Sequence, residues 1–519
     1  MKVVTGEDMR KIDAKAISEY KINSLTLMEN AGKGILDFLK QEFPDLKKKK
    51  ICILCGKGNN GGDGLVVSRL LSQMKVKSNV FLIARKEELK KDVKTNLNRL
   101  LKEKVRIKEI TSFKDLKEVE SDLKMYDIII DALLGTGFTG AVTGLLAKLI
   151  ELVNSLDSIV VSVDLPSGLN ANNGQVISSC IKADYTVTLG LVKVGLLIYP
   201  GANYVGKIVV KDIGIPKELV ESENLQLNFV LKEDLFNIFP KRNPDCNKGS
   251  VGKVLVVGGS VGLTGAPSLT SLAALRSGCG LVTLGIPSSL NSIIETKLTE
   301  VISKPLPENS NGTIGLNSES CILEMSESYD VLVLGPGLGK DKEIGQVVKN
   351  LVREIKIPVV LDADALNLIS SNVLVLKDKK APFVLTPHPG EMSRLTNIPI
   401  EDIQANRIDV AKEFARKYNV ILVLKGARTV IADPDGNIFI NSTGNSGLAT
   451  AGTGDVLAGM IAGFIAQGAG ILNSTIIGVY LHGLAGDIAK ESKTEYGMIA
   501  SDVLDNIPNA IKEVIKDIK

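Results

Sequence analysis

The 519-residue chain is nearly free of histidine: His388 and His482 are the only two, which excludes a multi-histidine metal centre. It also lacks paired cysteine spacing. Its six cysteines are scattered, and the single C-x-x-C, Cys52 and Cys55, falls inside the apolar run Ile51–Cys55, where the two thiols point to opposite faces of a strand. Such thiols suit neither a redox pair nor a metal site; they are expected to be reduced, as in a cytoplasmic protein. Met1–Arg10 has no apolar run of the signal-peptide kind, and no segment is long and apolar enough to span a bilayer. A dominant charge is missing too. The net charge is +3, so neither nucleic acid nor an anionic membrane is an expected partner, and the run Lys47–Lys50 reads as a solvated lead into a strand. There is no short-period repeat and no low-complexity segment.

What the sequence does contain is alternation. Its length allows roughly two to four domains. Gly6–Tyr20 and Ser24–Phe43 carry apolar residues at helical spacing. Short apolar runs follow at Ile51–Cys55, Val80–Ile83, Ile128–Ala132, Ile159–Asp164 and Thr186–Leu189, mostly separated by helix-like segments. That is the pattern of a doubly wound α/β sheet. Pro216–Lys241 is irregular and reads as a connector, so residues 1–220 are expected to form one domain, 221–240 a linker and 241–519 a second domain. The second series runs Lys253–Val257, Val331–Leu334, Val359–Asp362, Phe383–Thr386, Val420–Lys425 and Thr429–Ala432. It ends in helices over Asp455–Ala466, Leu472–Lys490 and Ala500–Ile518.

The densest stretch is Asn445–Gly459, N-S-G-L-A-T-A-G-T-G-D-V-L-A-G. Glycines let backbone amides turn inward, and a helix starting there aims its positive end at the loop. A phosphoryl group fits such a place, with Asp455 at its edge as a general base. Upstream, Gly56-Lys57-Gly58-Asn59-Asn60-Gly61-Gly62-Asp63-Gly64 directly follows a strand. It satisfies G-x-G-x-x-G, yet the next strand ends in Arg85 rather than an acid, and no Gly-Lys-Ser/Thr follows. Polar Asn59, Asn60 and Asp63 among the glycines favour a loop that recognises a polar ligand and an ion. Two more strand ends deliver Asp131, before Gly135–Ala141, and Asp164, before Pro166-Ser167-Gly168. Either aspartate alone is also what a turn cap requires. At the carboxyl ends of neighbouring strands, Asn60, Asp131 and Ser167 can converge as hard oxygen ligands of a monovalent cation, with Asp164 left for proton transfer.

These residues carry a family resemblance. Met28-Glu29-Asn30-Ala31-Gly32, G-N-N-G-G-D-G, D-A-L-L-G-T-G and D-L-P-S-G-L, in that order over roughly residues 1–220, resemble the NAD(P)H-hydrate epimerase domain, a Rossmann-like fold. The resemblance implies recognition of hydrated nicotinamide nucleotide by Asn59, Asn60, Gly61, Gly62 and Asp63, by Gly135, Thr136, Gly137, Phe138, Thr139, Gly140 and Ala141, and by Asp164. It also implies potassium at Asn60, Asp131 and Ser167.

In the second half, G-G-S-V-G-L-T-G-A at Gly258–Ala266 precedes a small-residue helix over Ser268–Ser277. Gly335-Pro336-Gly337-Leu338-Gly339, Asp362-Ala363-Asp364-Ala365-Leu366-Asn367, Thr386-Pro387-His388-Pro389-Gly390-Glu391 and Lys425-Gly426-Ala427-Arg428-Thr429 each close a strand. Each has a plain reading as a cap, a turn histidine or a solvated lysine. With G-T-G-D they resemble the ribokinase-like NAD(P)H-hydrate dehydratase, over about residues 230–510. Ala451 and Ser446 stand where such proteins often carry Gly and Pro. The resemblance implies hydrate contacts from Ala266, Gly337, His388, Pro389, Gly390, Glu391, Met392, Ser393, Arg394 and Asp455. For the adenine nucleotide it implies Lys425, Gly426, Ala427, Arg428, Thr429 and Gly454.

The expected activity is repair of NADH and NADPH hydrates. Asp164 would assist epimerisation, and Asp455 would drive dehydration with ADP (or ATP) as phosphoryl donor, with Mg2+ on the nucleotide. The partners expected are these small molecules and further copies of the chain in a homo-oligomer. Two rival readings remain at this point: a small-molecule kinase using the same Asp455, and a first domain that only binds.

Overall fold

The computed structural model describes residues 1–518, which divide into two units between Leu225 and Gln226. In the first unit, β1 (Ile51–Cys55), β2 (Ser78–Leu82), β3 (Arg106–Glu109), β4 (Ile128–Ala132), β5 (Ile159–Val163), β6 (Tyr185–Leu189) and β7 (Lys207–Lys211) form one sheet. Its order is β3-β2-β1-β4-β5-β6-β7, parallel throughout. Every residue of β1 and β4 is buried, as parallel strands covered on both faces must be. The order reverses beside β1, so the ends of β1 and β4 flank a switch-point crevice, the place where open α/β sheets take ligands. Cys52 and Cys55 pack into different apolar clusters on the two faces of the sheet, and all six cysteines are free thiols.

The second unit holds a ten-stranded sheet. Its strands are β8 (Leu227–Val230), β9 (Lys253–Val257), β10 (Leu281–Pro287), β11 (Ile302–Leu306), β12 (Val331–Leu334), β13 (Val359–Leu361), β14 (Phe383–Leu385), β15 (Ile421–Leu424), β16 (Val430–Ala432) and β17 (Ile438–Asn441). The order is β11-β10-β9-β12-β13-β14-β15-β16-β17-β8, with only the β15–β16 and β16–β17 pairs antiparallel. The fold class is therefore the expected α/β one in both units. The expectation of an irregular connector over Pro216–Lys241 needs correction. The segment contains the helix Lys217–Ser222, and β8 pairs in parallel with β17 at the edge of the second sheet. Gln, Asn and Glu around Leu227–Val230 hide the strand, because an edge strand buries little.

Helices Gly265–Arg276 and Thr453–Ala466 pack on one face of the second sheet, and their small residues fix how close they come. A methyl group on Gly459 would run into the Thr270 carbonyl, and one on Gly463 would reach the Ala274 carbonyl at 2.8 Å. The two backbones thus touch, and Thr270 Oγ1 donates to the Asp455 carbonyl at 3.0 Å. Among the described residues, no helix is long and apolar enough to cross a membrane.

Candidate active sites

In the first unit a cavity of about 670 Å³ opens over the carboxyl ends of the strands. Asn59, Asn60, Asp63, Gly135, Thr136, Gly137, Phe138 and Asp164 line it, together with Asp13, Met28 and Lys193. The polar cluster Asn59–Asp63 is not a loop, as the glycines suggested, but the first turn of the helix Asn59–Gln73. Its glycines serve packing. A Cβ on Gly61 would overlap the Gly56 carbonyl, and one on Gly64 would come within 2.7 Å of Ala132 Cβ. Gly61 and Gly62 are buried and outside the cavity lining; Thr139, Gly140 and Ala141 also lie outside it, with Thr139 and Ala141 exposed.

Asp164 sits just past β5 with a left-handed backbone, φ +66°, a conformation that costs a non-glycine residue about 1–2 kcal/mol. Its Oδ1 accepts from the Leu189 amide at 3.1 Å and from Lys193 Nζ at 2.5 Å. Lys193 is only 1% exposed and donates also to the Leu189 carbonyl at 2.7 Å. Asp63 is buried beside them, and burial first, then Asp164 and Asp13, push its carboxyl well above the ordinary range.

Asp131 and Ser167 lie behind the lining, fully buried. Asp131 accepts from Ser162 Oγ (2.8 Å), the Ser167 amide (2.9 Å), Ser167 Oγ (2.5 Å) and the Leu133 amide (3.3 Å). Ser167 Oγ in turn accepts from the Leu134 amide, whose carbonyl accepts from Asn60 Nδ2 at 2.7 Å. Asn60, Ser167 and Asp131 are thus joined through one residue, Leu134. Among the described residues no cationic side chain pairs with Asp131, and burial raises its pKa despite the four donors.

In the second unit, Asp455 is the third residue of the helix Thr453–Ala466, whose N-cap is Gly452 with φ +92°. Among the described residues, nothing accepts from the amides of Thr453, Gly454 and Asp455, so three donors and the helix dipole face the same point. Burial, then Asp362, raise Asp455 to about 7, with Lys425 opposing them. Lys425 Nζ itself is bonded to Asp362 Oδ1 at 2.9 Å and lies 3.8 Å from Glu391 Oε2. Thr386 Oγ1 donates to the same Asp362 oxygen at 2.6 Å. A Cβ placed on Gly454 would stand 3.2 Å from the Lys425 ammonium and crowd it.

Strand ends β12, β13 and β14 complete the floor. Gly335 has φ +136°, and a side chain there would strike the Asp362 carbonyl. Ala363 has φ +51° and turns the chain so that Asp364 accepts from the Gly339 amide at 2.9 Å. Gly337 is held by Ser260 Oγ at its carbonyl, 2.9 Å. His388 caps the helix Pro389–Thr396, and its amide donates to Glu391 Oε2 at 2.8 Å. Burial lifts Glu391 to about 7 and lowers half-buried His388. Met392 is fully buried, whereas Arg394 is exposed and donates to Asn367 Oδ1 at 2.7 Å.

The loop Lys425–Thr429 is anchored at both ends, the Lys425 amide donating to the Pro387 carbonyl and the Asn441 amide to the Thr429 carbonyl, each at 2.9 Å. Arg407 donates to the Leu424 carbonyl at 2.9 Å, and Arg428 lies 5.4 Å from the Phe229 ring, while Gly426 and Ala427 stay exposed. Ala266 opens the helix Gly265–Arg276 next to Thr270 and is half-buried.

Three groups carry no motif in the sequence: Lys193 and His482 are buried, and Asp13 is partly buried with one carboxyl oxygen enclosed. Lys193 stands alone in the apolar run Leu191–Leu197, and that isolation was its signal. His482 is buried in the helix Ile471–Gly497, held near pKa 4 by burial, with Nε2 2.9 Å from the Thr453 carbonyl at the mouth of the glycine loop. Asp13, on the helix Gly6–Ser18, carries no local mark at all.

Comparison with known proteins follows the same division. The family described as YjeF-related protein N-terminus matches residues 24–195, and the family described as NAD(P)H-hydrate dehydratase matches residues 254–509. The bifunctional NAD(P)H-hydrate repair enzyme of Moorella thermoacetica is 42% identical over 520 residues, covering 100% of this chain and 98% of that protein. The protein of the same name from Thermofilum pendens is 39% identical over 517 residues, covering 100% and 97%. The solved ADP/ATP-dependent NAD(P)H-hydrate dehydratase of Bacillus subtilis, co-crystallised with ATP and Mg2+, is 31% identical, covering 55% of this chain and 98% of that one, with a TM-score of 0.48. By full-length identity and by the two matched halves, the chain belongs to the family of bifunctional NAD(P)H-hydrate repair enzymes.

Proposed function

We propose that the chain restores hydrated NADH and NADPH in two steps. The first unit interconverts the R and S hydrates, and the second dehydrates the S hydrate while ADP goes to AMP and phosphate. The observation that carries this is Asp455: a carboxyl held near pKa 7 beside three unpaired amides at a helix N-terminus. A base with that pKa is half ionised near neutrality, where proton abstraction is most effective.

Asp455 takes the proton of the substrate hydroxyl as its oxygen attacks the terminal phosphate of the nucleotide. The amides of Thr453, Gly454 and Asp455 hold the charge growing on the phosphate oxygens. Lys425, already balancing Asp362, adds positive charge at the same point without capturing Asp455. Phosphate then leaves the ring carbon with the C–O pair as the ring nitrogen pushes in, and loss of a proton from the neighbouring carbon restores the double bond of the dihydropyridine. Gly426, Ala427, Arg428 and Thr429 supply the wall for the adenine nucleotide; Ala266, Gly337 and His388–Arg394 supply that for the hydrate. Buried Met392 contributes through its backbone and packing. Among the described residues no cluster of three acidic, histidine or cysteine side chains is built to cage a metal. That fits Mg2+ arriving on the nucleotide's phosphates and keeping its own waters.

In the first unit Asp164, steadied by Lys193, assists departure and return of the hydroxyl. Asn59, Asn60, Asp63 and Gly135–Phe138 border the nicotinamide. Asn60, Asp131 and Ser167 fit potassium: their donors are hard oxygens, and Asp131 is a buried carboxyl group with four hydrogen bonds and, among the described residues, no cationic partner. A bound monovalent cation would offset that charge and rigidify the loop through Leu134. Homo-oligomerisation is part of the same reading.

The test uses purified S hydrate with ADP or ATP, following the near-ultraviolet absorbance of the reduced ring and the nucleotide products. Absorbance should return with one phosphate released per ring. A stable phosphorylated product without that return would make the chain a small-molecule kinase instead.

A further inference from the structure

Asp13 lines the first cavity with no partner in the chemistry assigned to Asp164. The helix Gly6–Ser18 forms one wall of the first cavity through Met9, Arg10, Asp13 and Ile17, while Asp164, Leu189 and Lys193 border it from the strand ends. Arg10 pins that wall by donating to the Thr136 carbonyl at 2.7 Å. Asp13 Oδ1 is buried and, among the described residues, receives no hydrogen bond. A helix whose core face is Met9, Ile12 and Ala16 gains no packing from an unpaired carboxyl oxygen, so the cost points to function.

The charged groups that face Asp13 are Lys193 and Asp164 from the strand ends and Asp63 from the helix Asn59–Gln73. Three carboxyls share one ammonium. Lys193 spends its bonds on Asp164, Thr188 and the Leu189 carbonyl, leaving none for Asp13.

We propose that Asp13 is the second catalytic residue of the epimerase site, exchanging a proton on the ring face opposite Asp164. This rests on the epimerase reading above. Inversion at the hydroxyl-bearing carbon requires the hydroxyl to leave from one face and water to arrive at the other, and a ring held still meets a different residue on each. In one direction Asp13 gives its proton to the hydroxyl as the carbon–oxygen bond breaks, and water leaves with the bonding pair. The ring-nitrogen lone pair forms a C=N⁺ bond. A water on the other face adds to that carbon, the C=N⁺ pair returns to nitrogen, and the water's proton passes to Asp164. The product differs from the substrate only in configuration. The protonated Asp164 and ionised Asp13 that remain are the form that accepts the opposite epimer, and exchange with solvent resets them.

The pair works with one proton between them. Burial, with Asp164, raises Asp13 to about 6 against the pull of Lys193. That proton is therefore present below about 6 and lost as pH climbs, so epimerase kcat/KM should fall through an alkaline limb there.

The test is Asp13→Asn in the full chain, following R/S equilibration by chromatography without nucleotide and subtracting the spontaneous rate. Dehydration of pure S hydrate serves as the folding control. Epimerase kcat should fall about 10²-fold or more, with KM within threefold, the limb near pH 6 abolished, dehydration unchanged, and Asp13→Glu recovering part of the rate. Epimerisation within twofold of the unsubstituted chain overturns the assignment. So does a residual activity that keeps the limb, which would make Asp13 a wall residue. If the unsubstituted chain shows no epimerisation above the spontaneous rate, the epimerase reading itself fails.

Discussion

The two candidate sites solve one problem in opposite ways. Each holds an aspartate and a lysine, Lys193 buried and Lys425 partly so, at the carboxyl ends of parallel strands. In the first unit the lysine is bonded to the aspartate proposed to react: Lys193 donates to Asp164. In the second it is bonded to a neighbour: Lys425 donates to Asp362, and Asp455 keeps a raised pKa. The difference follows the chemistry. A base that must remove the proton of an alcohol near neutral pH is better left out of a close ion pair, whereas one that takes the far more acidic proton of a water adding to a ring cation can work from within such a pair. Backbone strain divides in the same way. Among the aspartate-bearing strand ends, the first unit has a left-handed residue at the reacting aspartate, Asp164, and the second has one at Ala363, beside the supporting Asp362.

The comparison breaks most sharply at Asp455. Asp455→Asn should lower dehydration by ~10²–10⁴, measured as absorbance recovery from S hydrate, while R/S equilibration continues at its normal rate. Loss of both activities would mean misfolding rather than missing chemistry.

Next in size is the lysine. Lys193→Met removes one partner of a buried pair and leaves Asp164 uncompensated, a change that typically costs ~3–5 kcal/mol. Denaturant unfolding should show the transition of residues 2–225 moving to lower concentration while dehydratase activity persists longer. An unchanged transition would deny that Asp164 depends on Lys193.

A smaller effect tests the helix contact beneath Asp455. Gly459→Ala pushes a methyl group into the Thr270 carbonyl and should cost ~1–3 kcal/mol, as overpacking does. The thermal transition of the second unit reports it.

The mildest test is pH. Burial and Asp362 raise Asp455 to about 7, so the carboxylate exists above that value and is lost as pH falls through it. Dehydratase kcat/KM should drop about tenfold between pH 6 and 5, whereas the epimerase limb argued above runs the other way, falling as pH rises. Parallel profiles for the two activities would erase the distinction between the sites.

Much of this was legible in the sequence, for identifiable reasons. Buried parallel strands such as β1, β4, β9 and β12 announce themselves as unbroken apolar runs, and their ends carry glycine or aspartate because ligands sit there. The strands that escaped were chiefly peripheral. Arg106–Glu109, Lys207–Lys211 and Ile302–Leu306 lie at or near sheet edges and carry lysine, arginine or proline, as edges do. Leu281–Pro287 escaped although it is interior, because Gly285 and Pro287 read as turn residues. Within the sites, residues on glycine-rich turns were readable, while Asp13 and His482 were not and Lys193 left only its isolation in an apolar run. Their roles arise from contacts with elements distant in sequence, and no local pattern encodes those.

The most direct measurement gives the intact chain an equal mixture of R and S hydrates with ADP and follows absorbance to completion. The account predicts that the whole pool returns to reduced coenzyme, one phosphate released per ring, well ahead of spontaneous epimerisation. Recovery that halts once the S hydrate is consumed, or absorbance that returns without phosphate release, would contradict it.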